Sequence, residues 1–241
     1  EFLASIRGML GPSGLREGPD AEPYLREPRD LVHGAAALVL RPETIEEIAA
    51  ILRHASEHHV AVIPWAGGTG LVGGQVRGDG PPGLLLSVER LNRIRETAPE
   101  DDVIVAEAGC TLAAIQAAAE GADRLFPLSI ASEGTARVGG ILSTNAGGVN
   151  VLRYGMARDL CLGIEAVLPD GSIHRGLKRV RKDNAGYDLR GLLIGAEGTL
   201  GVVTAAALRL FPRPAERAAA FVAVPSPDAA LALLHLMRAR L

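Results

Sequence analysis

The chain has 241 residues, 48% of them hydrophobic and 22% charged, with a formal net charge of −3. That length can bury a real core as one large or two small domains. Mild acidity with 3% aromatics weighs against a nucleic-acid partner, which wants basic grooves and stacking rings, and no apolar run reaches the roughly 18–20 residues of a bilayer span.

The opening "EFLASIRGML" lacks a basic start, a long apolar centre and a small-residue cleavage site, so no secretory signal is read there. It reads instead as a short helix, Phe2–Leu10, followed by a Gly/Pro-rich arm to residue 32. "AAALVL" (Ala35–Leu40) is a continuous apolar run suited to a buried strand. Thr44 and Glu47 have capping-box spacing, and Ile45, Ile48, Ala49, Leu52 and Ala55 then repeat with helical period. "VAVIP" closes a strand–helix–strand unit and delivers the chain into "AGGTGLVGG", Ala66–Gly74. "LLLSV" (Leu84–Val88) and "VIVAEAG" are strands, and "TLAAIQAAAE" is a helix closed by Gly121. A Phe126-Pro127 loop precedes "SEGTARVGGILSTNAGG". "LGIEAVLPDGSIHRG" is a hairpin turning through Pro169-Asp170-Gly171. "KDNAGYDL" and "GAEGTLG" then lead into the strand "VVTAAALRLFP". Past Pro212 and Pro214, "AAAFVAV" reads as a strand, and Ser226-Pro227-Asp228 opens a helix with Pro at its first position.

The glycines are the informative excess: 29 of 241 residues, against average usage near ~7%. Many fall in three clusters, Gly67–Gly74, Gly134–Gly148 and Gly195–Gly201, set directly against apolar runs. Gly68-x-Gly70-x-x-Gly73 has the spacing of a nicotinamide-binding Rossmann turn, and Glu89 lies where a ribose-binding carboxylate would be wanted. Such a turn needs a helix at once, because the helix N-terminus holds the pyrophosphate. "GQVRGDGPPG" cannot sustain one, so that reading fails, and without GK[ST] a P-loop is excluded too.

With no lysine in the first loop, a bound diphosphate would be met by backbone N–H groups and small hydroxyls. Glycine suits this because a ligand can approach its main chain closely. The amides of Gly67, Gly68, Thr69, Gly70 and Leu71, with the Thr69 hydroxyl, are the candidates; a solvated Gly-rich turn is the plain alternative. The second cluster adds Ser132, Thr135, Thr144 and Asn145. The third sets Glu197 and Gly198 before a strand whose backbone could meet an adenine edge. Together they favour a long, extended dinucleotide touching all three.

"AGGTGLVGG", "SEGTARVGGILSTNAGGVNVLRYG", "GIEAVLPDGS", "KDNAGYDL" and "GAEGTLGVVTAAALRLFPRP", in that order, resemble the flavin-binding domain of FAD-linked oxidases of the vanillyl-alcohol oxidase class. The likeness runs over residues 1 to about 214. It is greatest to the D-2-hydroxyacid branch: D-lactate dehydrogenase, the glycolate oxidase flavin subunit and D-2-hydroxyglutarate dehydrogenase. "RKDNAGYDL" leans towards the last.

The resemblance implies an α+β fold, a two-subdomain FAD-binding domain of the vanillyl-alcohol oxidase type. Its divisions would be an N-terminal helix and arm (1–32), a first subdomain (33–95), a second (96–213) and the truncated start of a cap domain (214–241). The first loop, with Ala66, Gly74 and Gln75 flanking its amides, would take the pyrophosphate. Pro127 and Ser132 would lie near the flavin end, Gly139, Gly140 and Asn145 along the cofactor, and Glu197, Gly198 and the Val202 backbone towards adenine. Some relatives tether flavin to a histidine in the first loop; Thr69 stands in that place here, so dissociable, non-covalent FAD is expected. The implied substrate is a small 2-hydroxy acid, gripped largely by the later cap domain through basic and metal-binding residues, so no catalytic residue is assigned. The electron acceptor is unassigned, and a homodimer or a partner subunit is left open.

Other motifs carry plainer readings. His54-x-x-Glu57-His58 spells a zinc-protease pattern, but at the end of a helix histidine also suits the dipole, and no metal is assigned. Five basic residues between Arg175 and Lys182 read as a solvated strand face, with docking of an acidic substrate or partner as the alternative. Lys182, Asp183 and Asn184 could instead cap a helix. Cys110 and Cys161 have no metal spacing and read as free, buried thiols in a reducing, cytoplasmic setting.

Overall fold

The apolar runs become strands and sort into two sheets; the computed structural model describes residues 1–76, 82–216 and 218–240. Helix α1 (Phe2–Leu10), strand β1 (Leu15–Arg16) and a 3-10 stretch at Gly18–Tyr24 come first. They are followed by β2 (Ala36–Leu40), α2 (Ile45–Glu57), β3 (Val62–Trp65) and β4 (Gly83–Ser87). The four strands form one sheet in the order β1-β2-β4-β3, with β4 parallel to both neighbours and β1 antiparallel to β2. The chain continues through β5 (Ile94–Ala98), β6 (Val103–Glu107), α3 (Leu112–Gly121), β7 (Arg124–Leu125), α4 (Val138–Ser143), α5 (Val151–Tyr154) and α6 (Ala157–Leu160). It ends with β8 (Cys161–Val167), β9 (Ile173–Gly176), α7 (Leu189–Leu193), β10 (Val202–Arg209), β11 (Phe211–Pro212) and α8 (Pro227–Arg240). The second sheet is antiparallel throughout, in the order β5-β6-β10-β8-β9, and β11 pairs with β7.

Helix α2 ties the sheets together. Its start is fixed by the capping box: the Glu47 amide donates to Thr44 Oγ1 at 3.1 Å and Glu47 Oε2 accepts from the Thr44 amide at 3.3 Å. Ile48, Ile51 and Ala55 on its inner face are buried in one core with Leu40 and Leu86 of the first sheet and Ile164 and Ala166 of the second. Burying each of the isoleucines and leucines stabilises by about 1.5–3 kcal/mol.

The second sheet also buries charge. Glu107 accepts from the Arg93 backbone and side chain, both at 2.9 Å, and from Arg95 at 3.2 Å. Arg95 reaches Glu165 at 3.0 Å, and Thr204, skipped in the register of β10 with β8, donates its hydroxyl to the same carboxylate. Burial would raise the Glu107 pKa, but the hydrogen bonds from Arg93 and Arg95 hold it below the ordinary value.

The structure corrects several readings. β5 belongs to the second sheet, so the division expected at 95/96 cuts through a strand. Residues 218–224 form no strand and lie exposed, because no described segment pairs with them. α8 does begin at Pro227, with Ser226 Oγ accepting from the Ala229 amide at 3.2 Å, yet it buries no residue. Gly121 does not close α3: it is the last helical residue, and the left-handed turn falls on Asp123. The basic run leaves the sheet at Gly176 and pairs with acids: Arg179 with Glu96, Lys178 with Asp183, Arg175 with Glu46. Asp183 caps nothing; Asp188 is the cap of α7, accepting from the Gly191 amide at 3.0 Å.

Candidate functional site

After β3 the chain stays irregular through Val76, and β4 is the next element described. The rest of the helix-breaking run, 77–81, lies outside the described residues. Glu89 is engaged elsewhere: it accepts from the Tyr24 hydroxyl at 2.7 Å and pairs with Arg41. Burial and the Glu89 carboxylate push the Tyr24 phenol up to about 12.

The three glycine clusters meet. A Cβ on Gly67 would stand 2.3 Å from the Thr135 carbonyl oxygen, so the first cluster lies flat against the second. The Gly195 amide donates to Leu142 O at 3.0 Å and the Glu197 amide to Ser143 O at 2.8 Å, joining the third cluster to α4. Gly198, at φ +79°, sits on the Pro64 ring of β3, where a Cβ would come within 2.8 Å of Cγ.

They enclose a cleft of about 420 Å³ between the two sheets, within the usual size of small-molecule sites. Ala66, Gly67, Gly68, Thr69, Gly70, Leu71, Gly74 and Gln75 line it from the first cluster. Ser132, Gly139 and Gly140 line it from the second, and Glu197, Gly198 and Val202 from the third. Three expected residues fall outside that lining. Thr135 packs its carbonyl against Gly67, and its hydroxyl donates to Ser132 O at 3.4 Å. Pro127 lines a neighbouring polar cleft, its carbonyl held by Asn150 Nδ2 at 2.8 Å. Asn145 turns the chain after α4 at φ +47°, its Oδ1 accepting from the Arg158 amide.

The lining is rich in donors. Among the described residues, no amide from Gly67 to Gly74 donates to a protein acceptor. Gln75 instead holds the loop from its carbonyl side, Nε2 donating to Gly70 O at 2.7 Å. Two side chains that sequence reasoning did not single out add buried donors with no partner among the described residues, Trp65 Nε1 and Arg137 Nε. Arg137 is held by Gly109 O at 2.6 Å and is the one cation lining the cleft among the described residues. Buried donors left unpaired are costly. This set of donors, with glycines where any Cβ would intrude, fits a diphosphate-bearing dinucleotide.

The other motifs stay outside the cleft. His54, Glu57 and His58 bring ligand-type atoms within 4.8 Å of one another, while Phe2 stacks on the His54 ring at 5.0 Å and His58 Nδ1 bonds His54 O. Cys110 and Cys161 are free and buried, and burial pushes their thiols up to about 11 and about 12. No described helix is long and apolar enough to cross a membrane.

Residues 36–176 match the model of a FAD binding domain. The chain is 40% identical over 239 residues to a mitochondrial D-2-hydroxyglutarate dehydrogenase of Bos taurus, covering 99% of this chain and 44% of that protein. It is 37% identical to a D-2-hydroxyglutarate dehydrogenase of Xanthomonas citri, over 92% of this chain and 49% of that one. A D-2-hydroxyglutarate–pyruvate transhydrogenase of Saccharomyces cerevisiae matches at 35%, over 95% and 46%. The chain thus spans less than half the length of each. Among solved structures, an alkyldihydroxyacetonephosphate synthase superposes with a TM-score of 0.78 at 21% identity, covering 89% of this chain and 41% of that one. That likeness speaks for the fold.

Proposed function

The chain belongs to the FAD binding domain family, and on that premise we propose that it holds FAD non-covalently along the cleft as the flavin-binding part of a D-2-hydroxy-acid oxidoreductase. D-2-hydroxyglutarate is the favoured substrate, in keeping with the relatives' names; D-lactate and glycolate are the alternatives. The observation that carries the reading is the convergence of three glycine clusters on one cleft, with the first loop's amides unpaired among the described residues.

When bound, FAD would supply the acceptor for the hydride leaving the hydroxyl-bearing carbon. The chain's residues bind and orient. The amides between Gly67 and Leu71 and the Thr69 hydroxyl meet the diphosphate, at about 1.5–3 kcal/mol per hydrogen bond to charge. Ala66, Gly74 and Gln75 would frame that loop, Ser132 would lie near the flavin end, Gly139 and Gly140 along the cofactor, and Glu197, Gly198 and Val202 towards its adenine. Non-covalent attachment is supported by the lining itself, which holds no histidine, cysteine or tyrosine among the described residues.

Purified protein should be yellow, and heating should release unmodified FAD; a colourless protein that ignores added FAD ends the reading. A second reading, a FAD-binding part that does not turn over by itself, is favoured by the chain's short span against its relatives. Assays with D-2-hydroxyglutarate, D-lactate and glycolate, on the 241-residue chain and on the longest product of its gene, separate the two. A cytoplasmic location is part of the proposal, although several relatives carry a mitochondrial one in their names; recovery from an organelle in cell fractionation contradicts it.

A further inference from the structure

We propose that residues 27–33 form a clasp that positions the diphosphate-binding loop, with Arg29 acting on it through the Leu71 carbonyl. This rests on the reading of the cleft as a FAD site.

The clasp is built around a buried carboxylate. The Glu27 side chain is 1% exposed; it accepts from the Arg29 amide at 2.9 Å and the Leu31 amide at 2.7 Å. The Glu27 amide donates to Val32 O at 3.2 Å, the Asp30 amide to Glu27 O at 2.9 Å, and a bridge between Arg26 and His33 closes the base. These bonds hold Asp30 in the left-handed region at φ +58°. A tight turn tied by its own acid is a rigid platform, and it presents two side chains to the glycine loop. Val32 packs under Gly73, its Cγ2 3.2 Å from where a Cβ would lie. Arg29 Nη2 donates to Leu71 O, while its Nε stays 3.8 Å from the Glu27 carboxylate.

Peptide geometry then sets the direction of the loop's amides. In a planar trans peptide the C=O and the next N–H point in opposite directions. Gln75 fixes Gly70 O and Arg29 fixes Leu71 O, so the amides of Leu71 and Val72 are turned away from those two side chains. Both residues line the cleft, and neither amide has an acceptor among the described residues. Arg29 therefore acts as a positioning residue: it sets donors in advance, and a pre-set loop has less freedom to lose on binding. Its side chain is about half exposed, so the core does not depend on it.

The test is FAD titration of the apoprotein, followed by flavin fluorescence, for the wild type, Arg29→Met, which keeps the aliphatic stem, and Arg29→Lys. Arg29→Met should weaken FAD binding about tenfold, with the melting temperature of the apoprotein unchanged, and Arg29→Lys should recover part of the loss. Equal affinity in Arg29→Met and wild type overturns the clasp and leaves the cleft reading standing. An affinity loss matched by a lower melting temperature, with no recovery in Arg29→Lys, overturns positioning in favour of general loosening. A wild-type protein that binds no FAD overturns the cleft reading itself.

Discussion

Gly67 has no room for even one more carbon: the Thr135 carbonyl oxygen would stand 2.3 Å from its Cβ. Gly67→Ala should therefore cost about 1–3 kcal/mol and part the first two clusters, lowering both the denaturation midpoint and FAD affinity. Gly134, whose Cβ would meet nothing within 4 Å among the described residues, is the matched control, and Gly134→Ala should leave FAD affinity as it was. At this scale the glycine clusters were legible from sequence, because only close backbone approach asks for so many glycines beside apolar strands. Trp65 and Arg137 were not. What places them in the cleft wall is tertiary: the Gly68 turn over the indole and the Gly109 carbonyl on the guanidinium. Asn145 shows the converse, a small polar residue in a suggestive motif that serves the backbone turn after α4.

Among the elements, α2 was readable to its cap, and Thr44→Ala should cost about 1 kcal/mol in urea denaturation. β5 was missed because "IRETA" shows little apolar alternation; its Arg95 is spent on the buried carboxylates rather than on a hydrophobic face. The segment at 218–224 failed in the other direction, having strand composition but no neighbour to pair with. The buried charge in the second sheet makes stability depend on pH. Glu107 has a folded pKa below its ordinary 4.5, despite burial pulling upward. Its contribution is therefore complete above that pH and is lost as pH falls through the lowered value. Stability measured from pH 7 down to pH 3 should decline below about pH 4.5. Glu107→Gln should be less stable at pH 7 and decline less steeply.

For the molecule as a whole, the cleft is the seam where two sheets with a common core come together, so binding should depend on both sheets and little on the C-terminal tail. Residues 218–225 are exposed and α8 buries nothing. A chain ending at Arg213 should keep the melting temperature and FAD affinity of the longer one, and a large loss of either would mean that this tail supports the cleft. The most direct measurement is the position of the diphosphate in a crystal of the chain grown with FAD. The account predicts its oxygens within about 3 Å, hydrogen-bond reach, of amides between Gly67 and Gly74. A diphosphate held by side-chain cations, with that loop turned to solvent, contradicts it.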